Sequence, residues 1–241
     1  MRFIILTLFP GMFTGFINES IIGRARDTGL ITVDLVNIRD FARDRRQVAD
    51  DYPFGGGAGM VMKPEPVAEA IESTYRAGER PYVVLTSAQG RVFDQSVAQE
   101  YARHESIAVV CGHYEGVDER VSAFVDDQIC IGDYILTGGE IAALAVLDAT
   151  SRLVPGVISE ESSKNESFQA GILEGPQYTR PREFRGLEVP EVLLSGDHEK
   201  VRVWRRKEAL RRTLVSRPDL LWRAALTAED MKLLKEIKGR P

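Results

Sequence analysis

Two short apolar runs, each opening into a loop dense in glycine and carboxylate, constrain this chain more than any other feature. Ile107 to Val110 is β-branched and apolar, ends in Cys111-Gly112 and gives way to His113-Tyr114-Glu115-Gly116. Gln128 to Ile131 breaks at Gly132-Asp133-Tyr134-Ile135-Leu136-Thr137, passes Gly138-Gly139-Glu140 and enters a segment rich in Ala and Leu. The first reads as a buried strand entering a loop, the second as strand, loop and helix start. Glycines at both strand ends permit positive φ or let a ligand approach the backbone, and parallel α/β sheets bind ligands beyond the carboxyl ends of their strands. The second loop runs about nine residues where a connection needs two to six, so the two loops are expected to wall one pocket.

The rest of the chain is arranged around that pair. Phe3 to Leu8 reads as a strand, Met12, Phe13, Phe16 and Ile17 fall at helical spacing, and Ile31 to Asn37 is a second strand. The segment Asp50 to Gly59 follows no strand and has neither a dinucleotide fingerprint nor a P-loop lysine, so it is a loop of another kind. Pro64 to Ala77 is expected to be a helix burying Val67, Ala70, Ile71 and Tyr75. Tyr82 to Leu85 is a third strand, ending in the polar turn Thr86-Ser87-Ala88-Gln89-Gly90. Asp94 caps a helix carrying Val97, Ala98 and Tyr101, and Ile141 to Leu153 makes a helix covered on most sides. Strands alternating with helices predict an α/β domain with a mainly parallel sheet of about five strands, covering residues 1–158.

Residues 159–172 begin with a polar stretch lacking apolar period and read as a flexible linker. Residues 173–241 read as a small all-helical domain, with helices through 198–238, Pro218 opening one and a capping-box spacing at Thr227 and Asp230 before another. The net charge of −5 hides an asymmetry. Residues 1–160 hold 14 basic against 23 acidic side chains, and residues 161–241 hold 17 against 13. The basic residues cluster in 198–212, with Arg180, Arg182 and Arg185 just before, which suits a phosphate-facing surface that includes Arg205 and Arg206. No apolar run approaches the eighteen or so residues of a membrane span, and Phe3 to Phe9 ends at Pro10-Gly11 without a cleavage site. Cys111 and Cys130 have no His partners at metal spacing and read as small hydrophobes at strand ends. A cytoplasmic protein is expected.

Eight strings carry a specific resemblance: LFPGMF (8–13), RDF (39–41), DDYPFGGGAGM (50–60), VVCGHYEGVDERV (109–121), IGDYILTGGE (131–140), SRLVPGV (151–157), PQYTRP (176–181) and PEVLLSGDH (190–198). In content and order they resemble the bacterial tRNA (guanine-N1)-methyltransferases of the TrmD family. The resemblance implies a SPOUT-type α/β domain whose C-terminal part is threaded into a trefoil knot, a topology periodicity would not propose because chains rarely knot. It implies an S-adenosylmethionine pocket at Leu85, Thr86, Ser87, Gln89, Gly112, Ile131, Gly132, Asp133, Tyr134, Ile135, Leu136, Gly138 and Gly139. It also implies an obligate homodimer, tRNA as substrate and guanosine 37, beside the anticodon, as target. Mg2+ is associated with the family, although no carboxylate cluster at ligand spacing supports it here.

Methylating N1 of guanine requires a base for its proton and a group to steady charge developing on O6. The family's base is an aspartate before a Ser-Phe pair. This chain has Glu166 before Ser167-Phe168, which keeps the carboxylate and adds one methylene. The matching arginine is Arg152, and Asp50 and Glu115 resemble acidic residues near the target base and the cofactor. His113 stands where some relatives have arginine. Two other classes are weighed: a nucleotide-binding oxidoreductase, disfavoured by the missing Gly-x-Gly-x-x-Gly fingerprint, and a catalytically silent SPOUT-fold RNA-binding regulator, which the Glu166 departure keeps open.

Overall fold

The apolar runs of the first unit form a parallel sheet. The computed structural model describes residues 1–76, 78–159, 166–168 and 171–239, and the chain divides into two units, Met1–Ile158 and Ser159–Pro241. The first runs β1 (Arg2–Thr7), α1 (Thr14–Asn18), α2 (Ser20–Asp27), β2 (Thr32–Asn37), β3 (Asp50–Asp51), β4 (Val61–Met62), α3 (Pro64–Ser73), β5 (Tyr82–Val92), α4 (Gln95–Tyr101), β6 (Ser106–Cys111), β7 (Asp127–Cys130) and α5 (Glu140–Ser151). Five strands make one sheet in the order β2-β1-β6-β5-β7, with every neighbouring pair parallel.

Side chains alternate across this sheet into two cores. Phe3, Ile5, Val84, Ile107, Val109 and Ile129 pack with Ile17 and Ile22 of α1 and α2, Val97 and Tyr101 of α4, and Ala143, Val146 and Leu147 of α5. Ile4, Leu6, Val83, Leu85, Ala108 and Val110 pack with Val67, Ala70 and Ile71 of α3. Burial on both faces is why these strands read as unbroken apolar runs rather than alternating ones. The N-cap at Asp94 forms as expected, its carboxylate accepting from the amides of Ser96 and Val97.

Several boundaries differ from the sequence reading. β5 does not end at Leu85: Thr86 and Arg91 both pair with Ile129, so Ser87 to Gly90 is expelled as a loop and the ladder resumes beyond it. A bulge and a strand end share the same polar, glycine-bearing signature, and pairing decides between them. α3 stops at Ser73, leaving Tyr75 beyond its end and partly exposed. The Asp50–Gly59 segment opens with the two-residue strand β3, which pairs antiparallel with β4. α5 begins and ends slightly earlier than Ile141–Leu153, and Ile141 is the one exposed residue on it, at 48%.

The second unit is built on helices His198–Ser216, Pro218–Leu221 and Ala228–Lys238, around a core of Ile172, Ala209, Leu210, Leu233 and Leu234. It is not all-helical, because Glu183–Phe184 and Leu187–Glu188 pair as a hairpin turned by Arg185-Gly186. The capping box at Thr227 and Asp230 is complete. Asp230 also accepts from Nε and Nη2 of Arg206 at 2.7 and 2.9 Å. That bond, aided by the Thr227 amide, holds the buried Asp230 carboxyl down to about 2. Most of the predicted linker, 160–165 and 169–170, lies outside the described residues.

Candidate active site

The loops after β5, β6 and β7 meet in one cleft of about 320 Å3. Ser87 to Gln89 supply one wall, Gly112 to Glu119 another, and Ile131 with the glycine-flanked loop to Gly139 the third, with Ala142 of α5 at its edge. All the sequence-predicted cofactor positions line this cleft except Asp133, whose side chain is exposed. Thr86 ties the walls together: its Oγ1 donates to the Val110 carbonyl and accepts from the Gly112 amide, both at 3.1 Å. Gly139 donates to the Gly112 carbonyl at 2.7 Å, and His113 pairs with Gly138 in an isolated bridge. The approach leaves no room for side chains. A Cβ on Gly139 would stand 1.9 Å from Thr86 Oγ1 and 2.9 Å from the Gly112 nitrogen.

The outer rim is apolar. Tyr134, Ile135 and Leu136 are exposed, Ile135 to 87%, on a loop whose Tyr134 hydroxyl donates to the Ile131 carbonyl. A contiguous exposed apolar rim marks a ligand or protein contact. The opposite wall is stitched to the glycine-rich segment, where the Glu115 amide donates to the Met60 carbonyl and Met62 and Asp118 bond around Gly116 and Val117. Asp50 pairs with Met62 in that same layer, so Asp50 and Glu115 belong to one connected substructure. Tyr114 is held at φ +60, a left-handed conformation that a non-glycine residue adopts only when its surroundings enforce it, and its hydroxyl accepts from Arg39 Nη2.

One group was missed by the sequence reading. Glu140, the first residue of α5, is 2% exposed, and its Oε1 accepts from Thr7 Oγ1 at 2.8 Å. The His113 Nδ1 lies 3.7 Å from its other oxygen, too far to bond, and is a buried nitrogen without a hydrogen-bond partner among the described residues. Burial and this carboxylate together push the Cys111 thiol well above its ordinary range, which fits an inert core residue. The signal available in sequence was a carboxylate at a helix start, which ordinarily means an exposed first-turn acid.

Of the remaining predicted residues, Arg152 lies apart from the cleft within the first unit, and the others belong to the second unit. Arg152 follows α5 at its far end, its amide donating to the Asp148 carbonyl. Ten residues of helix separate it from Ala142 on the cleft edge, about 15 Å of rise. Glu166 belongs to the second unit and is half-buried, beside Ser167, whose Oγ accepts from the Glu174 amide. Arg206 is taken up by Asp230, whereas Arg205 is exposed.

A cleft rimmed by glycine backbone beyond the carboxyl ends of parallel strands places the first unit in the class of α/β proteins that hold ligands in that crevice. The chain belongs to the tRNA (guanine-1)-methyltransferase TrmD family, whose model matches residues 1–223. It is 58% identical over 240 residues to the tRNA (guanine-N(1)-)-methyltransferase of Geotalea uraniireducens, covering 99% of this chain and 97% of the relative. The enzyme of the same name from Moorella thermoacetica is 57% identical over 244 residues, 100% and 98% of the two chains. That from Dictyoglomus turgidum is 52% identical over 239 residues, 99% and 97%.

Proposed function

We propose that this chain is a tRNA (guanine-N1)-methyltransferase that moves a methyl group from S-adenosylmethionine to N1 of guanosine 37, beside the anticodon. The observation that carries the reading is the cleft, which fits the donor in size and in chemistry. Backbone groups at Gly112 and Ile131 to Leu136 suit an adenosine edge, Leu85, Ile131 and Leu136 offer apolar contact, and Thr86, Ser87, Gln89 and Glu115 bring polar groups to the walls. When bound, the donor supplies an electrophilic methyl on a sulfonium. Glu166 takes the proton from N1, and Arg152 steadies negative charge on O6 as that proton leaves. Asp50 and Glu115 orient the target base and the donor, and the basic second unit holds tRNA phosphates.

We further infer that the active unit is a homodimer and that the domain carries the trefoil knot of its family. An arginine side chain does not span the 15 Å or so between Arg152 and the cleft edge of its own α5, which favours a second copy supplying the Arg152 that serves each cleft. The exposed Ile141 and the rim Tyr134-Ile135-Leu136 offer apolar surface for that pairing. Light scattering at micromolar concentration should give one species near twice the chain mass. An active monomer would contradict it. The knot rests on family membership and on the return of Gly139 against Thr86 and Gly112.

Tritium transfer from labelled S-adenosylmethionine to unmodified tRNA tests the whole reading. Incorporation at N1 of guanosine 37 is expected, and tRNA binding without transfer would favour the silent regulator that the Glu166 departure keeps in view. Run with and without Mg2+, the same assay decides the metal requirement; among the described residues no group of three or more His, Cys, Asp or Glu is placed to hold an ion. Likewise, no described helix is long and apolar enough to cross a membrane.

A further inference from the structure

The second unit contains its own cleft, separate from the one between the strand loops. It measures about 440 Å3 and is lined by Pro176 to Arg180, Arg182, Val189, Leu193, Leu194 and Arg205. Its electrostatics differ from the rest of the basic tail. Along the helix His198–Ser216, Arg202 is held by Glu199 and Glu229, Arg206 by Asp230 and Arg211 by Glu208, while Arg212 donates to the Glu174 carbonyl. These cations are spent on the fold. Arg180, Arg182 and Arg205 have no carboxylate within ion-pair distance among the described residues, and all three border the cleft.

The walls between them are not what phosphate binding alone needs. Phosphates are met by cations on an open surface, whereas this cavity has Leu193, Leu194, Val189 and Pro176 in its lining. The half-exposed Tyr178 sits at the lining with its ring 6.3 Å from that of Trp204, and presents a π-face. Unpaired arginines beside an apolar, aromatic recess match a phosphate joined to a flat heterocycle. We infer that this cleft receives one unstacked nucleotide of the RNA, its phosphate on Arg180, Arg182 and Arg205 and its base against Tyr178 and Leu193. The inference rests on the proposed action on tRNA and concerns a nucleotide other than the methylated guanosine.

The test uses the full chain and tRNA transcripts in which a fluorescent adenine analogue replaces single-stranded positions one at a time. At one position besides the target, emission should rise on binding as the base leaves its stack. Tyr178→Ala should abolish that rise and weaken tRNA binding by roughly ten- to a hundredfold, the range of a lost base stack. Arg205→Gln should reduce the slope of log K against log[salt] by about one, whereas Arg202→Gln, whose cation is already paired, should not. S-Adenosylmethionine binding by calorimetry should be the same in all three variants. The inference is overturned if no position brightens, if Tyr178→Ala leaves the signal intact, or if Arg205 and Arg202 variants have equal slopes. A wild-type chain that brightens nowhere yet still methylates tRNA removes the subsite alone; one that never binds tRNA removes the proposed function as well.

Discussion

Glu166→Gln is expected to lower the single-turnover methylation rate by roughly 10²–10⁴-fold and to leave tRNA binding nearly intact. The amide keeps the shape of the carboxylate and most of its hydrogen bonding but cannot take a proton. The magnitude is that of general-base loss, and single-turnover conditions isolate the chemical step from product release. Glu160 and Glu161 precede Glu166 in the same polar stretch and are the rival bases. A Gln variant that methylates at the wild-type rate would pass the role to one of them or to the substrate itself.

Gly112→Val is expected to reduce S-adenosylmethionine affinity by roughly a hundredfold or more in calorimetry while the far-ultraviolet circular dichroism stays native. A Cβ at Gly112 would meet the Thr86 carbonyl oxygen at 3.0 Å and Val117 Cγ2 at 3.5 Å before valine's two methyls are placed. The backbone there cannot retreat, because the Gly112 amide is bound to Thr86 Oγ1 and its carbonyl to the Gly139 amide. Overpacking of this kind costs about 1–3 kcal/mol and is relieved by displacing the loop walls, which are the binding surface. The sheet, held by two separate cores, survives the displacement. Undiminished affinity would move the donor site elsewhere.

What could be read from the sequence follows from how local each signal is. The central strands were legible because burial on both faces leaves a continuous apolar run, as at Ile107 to Val110. The cleft was legible because its close approaches demand glycine, and Gly112, Gly138 and Gly139 stand out one by one. The bulge in β5 was not, since Thr86 to Gly90 has the composition of a turn and only the shared partner Ile129 makes it an excursion. Glu140 was missed for a different reason: its partner Thr7 lies 133 positions away, and no periodicity joins a helix start to the end of the first strand. The arginines of the last helices looked alike in sequence. Partners such as Asp230 and Glu229, 24 and 27 residues further on, sort them into structural cations and available ones.

The strand order has a consequence for how the chain is made. β1 lies inside the sheet, but one of its neighbours is β2, complete by residue 37, and the other is β6, which ends at residue 111. At about 5–20 residues per second of synthesis, the first strand waits on the order of 4–15 s between its two partners. Through that interval the unpaired edge of an almost wholly apolar strand remains a template for any other extended segment on a neighbouring nascent chain. Any product of interrupted translation that stops short of Ser106 keeps that edge permanently, so truncated copies of this chain should be far stickier than their length or charge alone would imply.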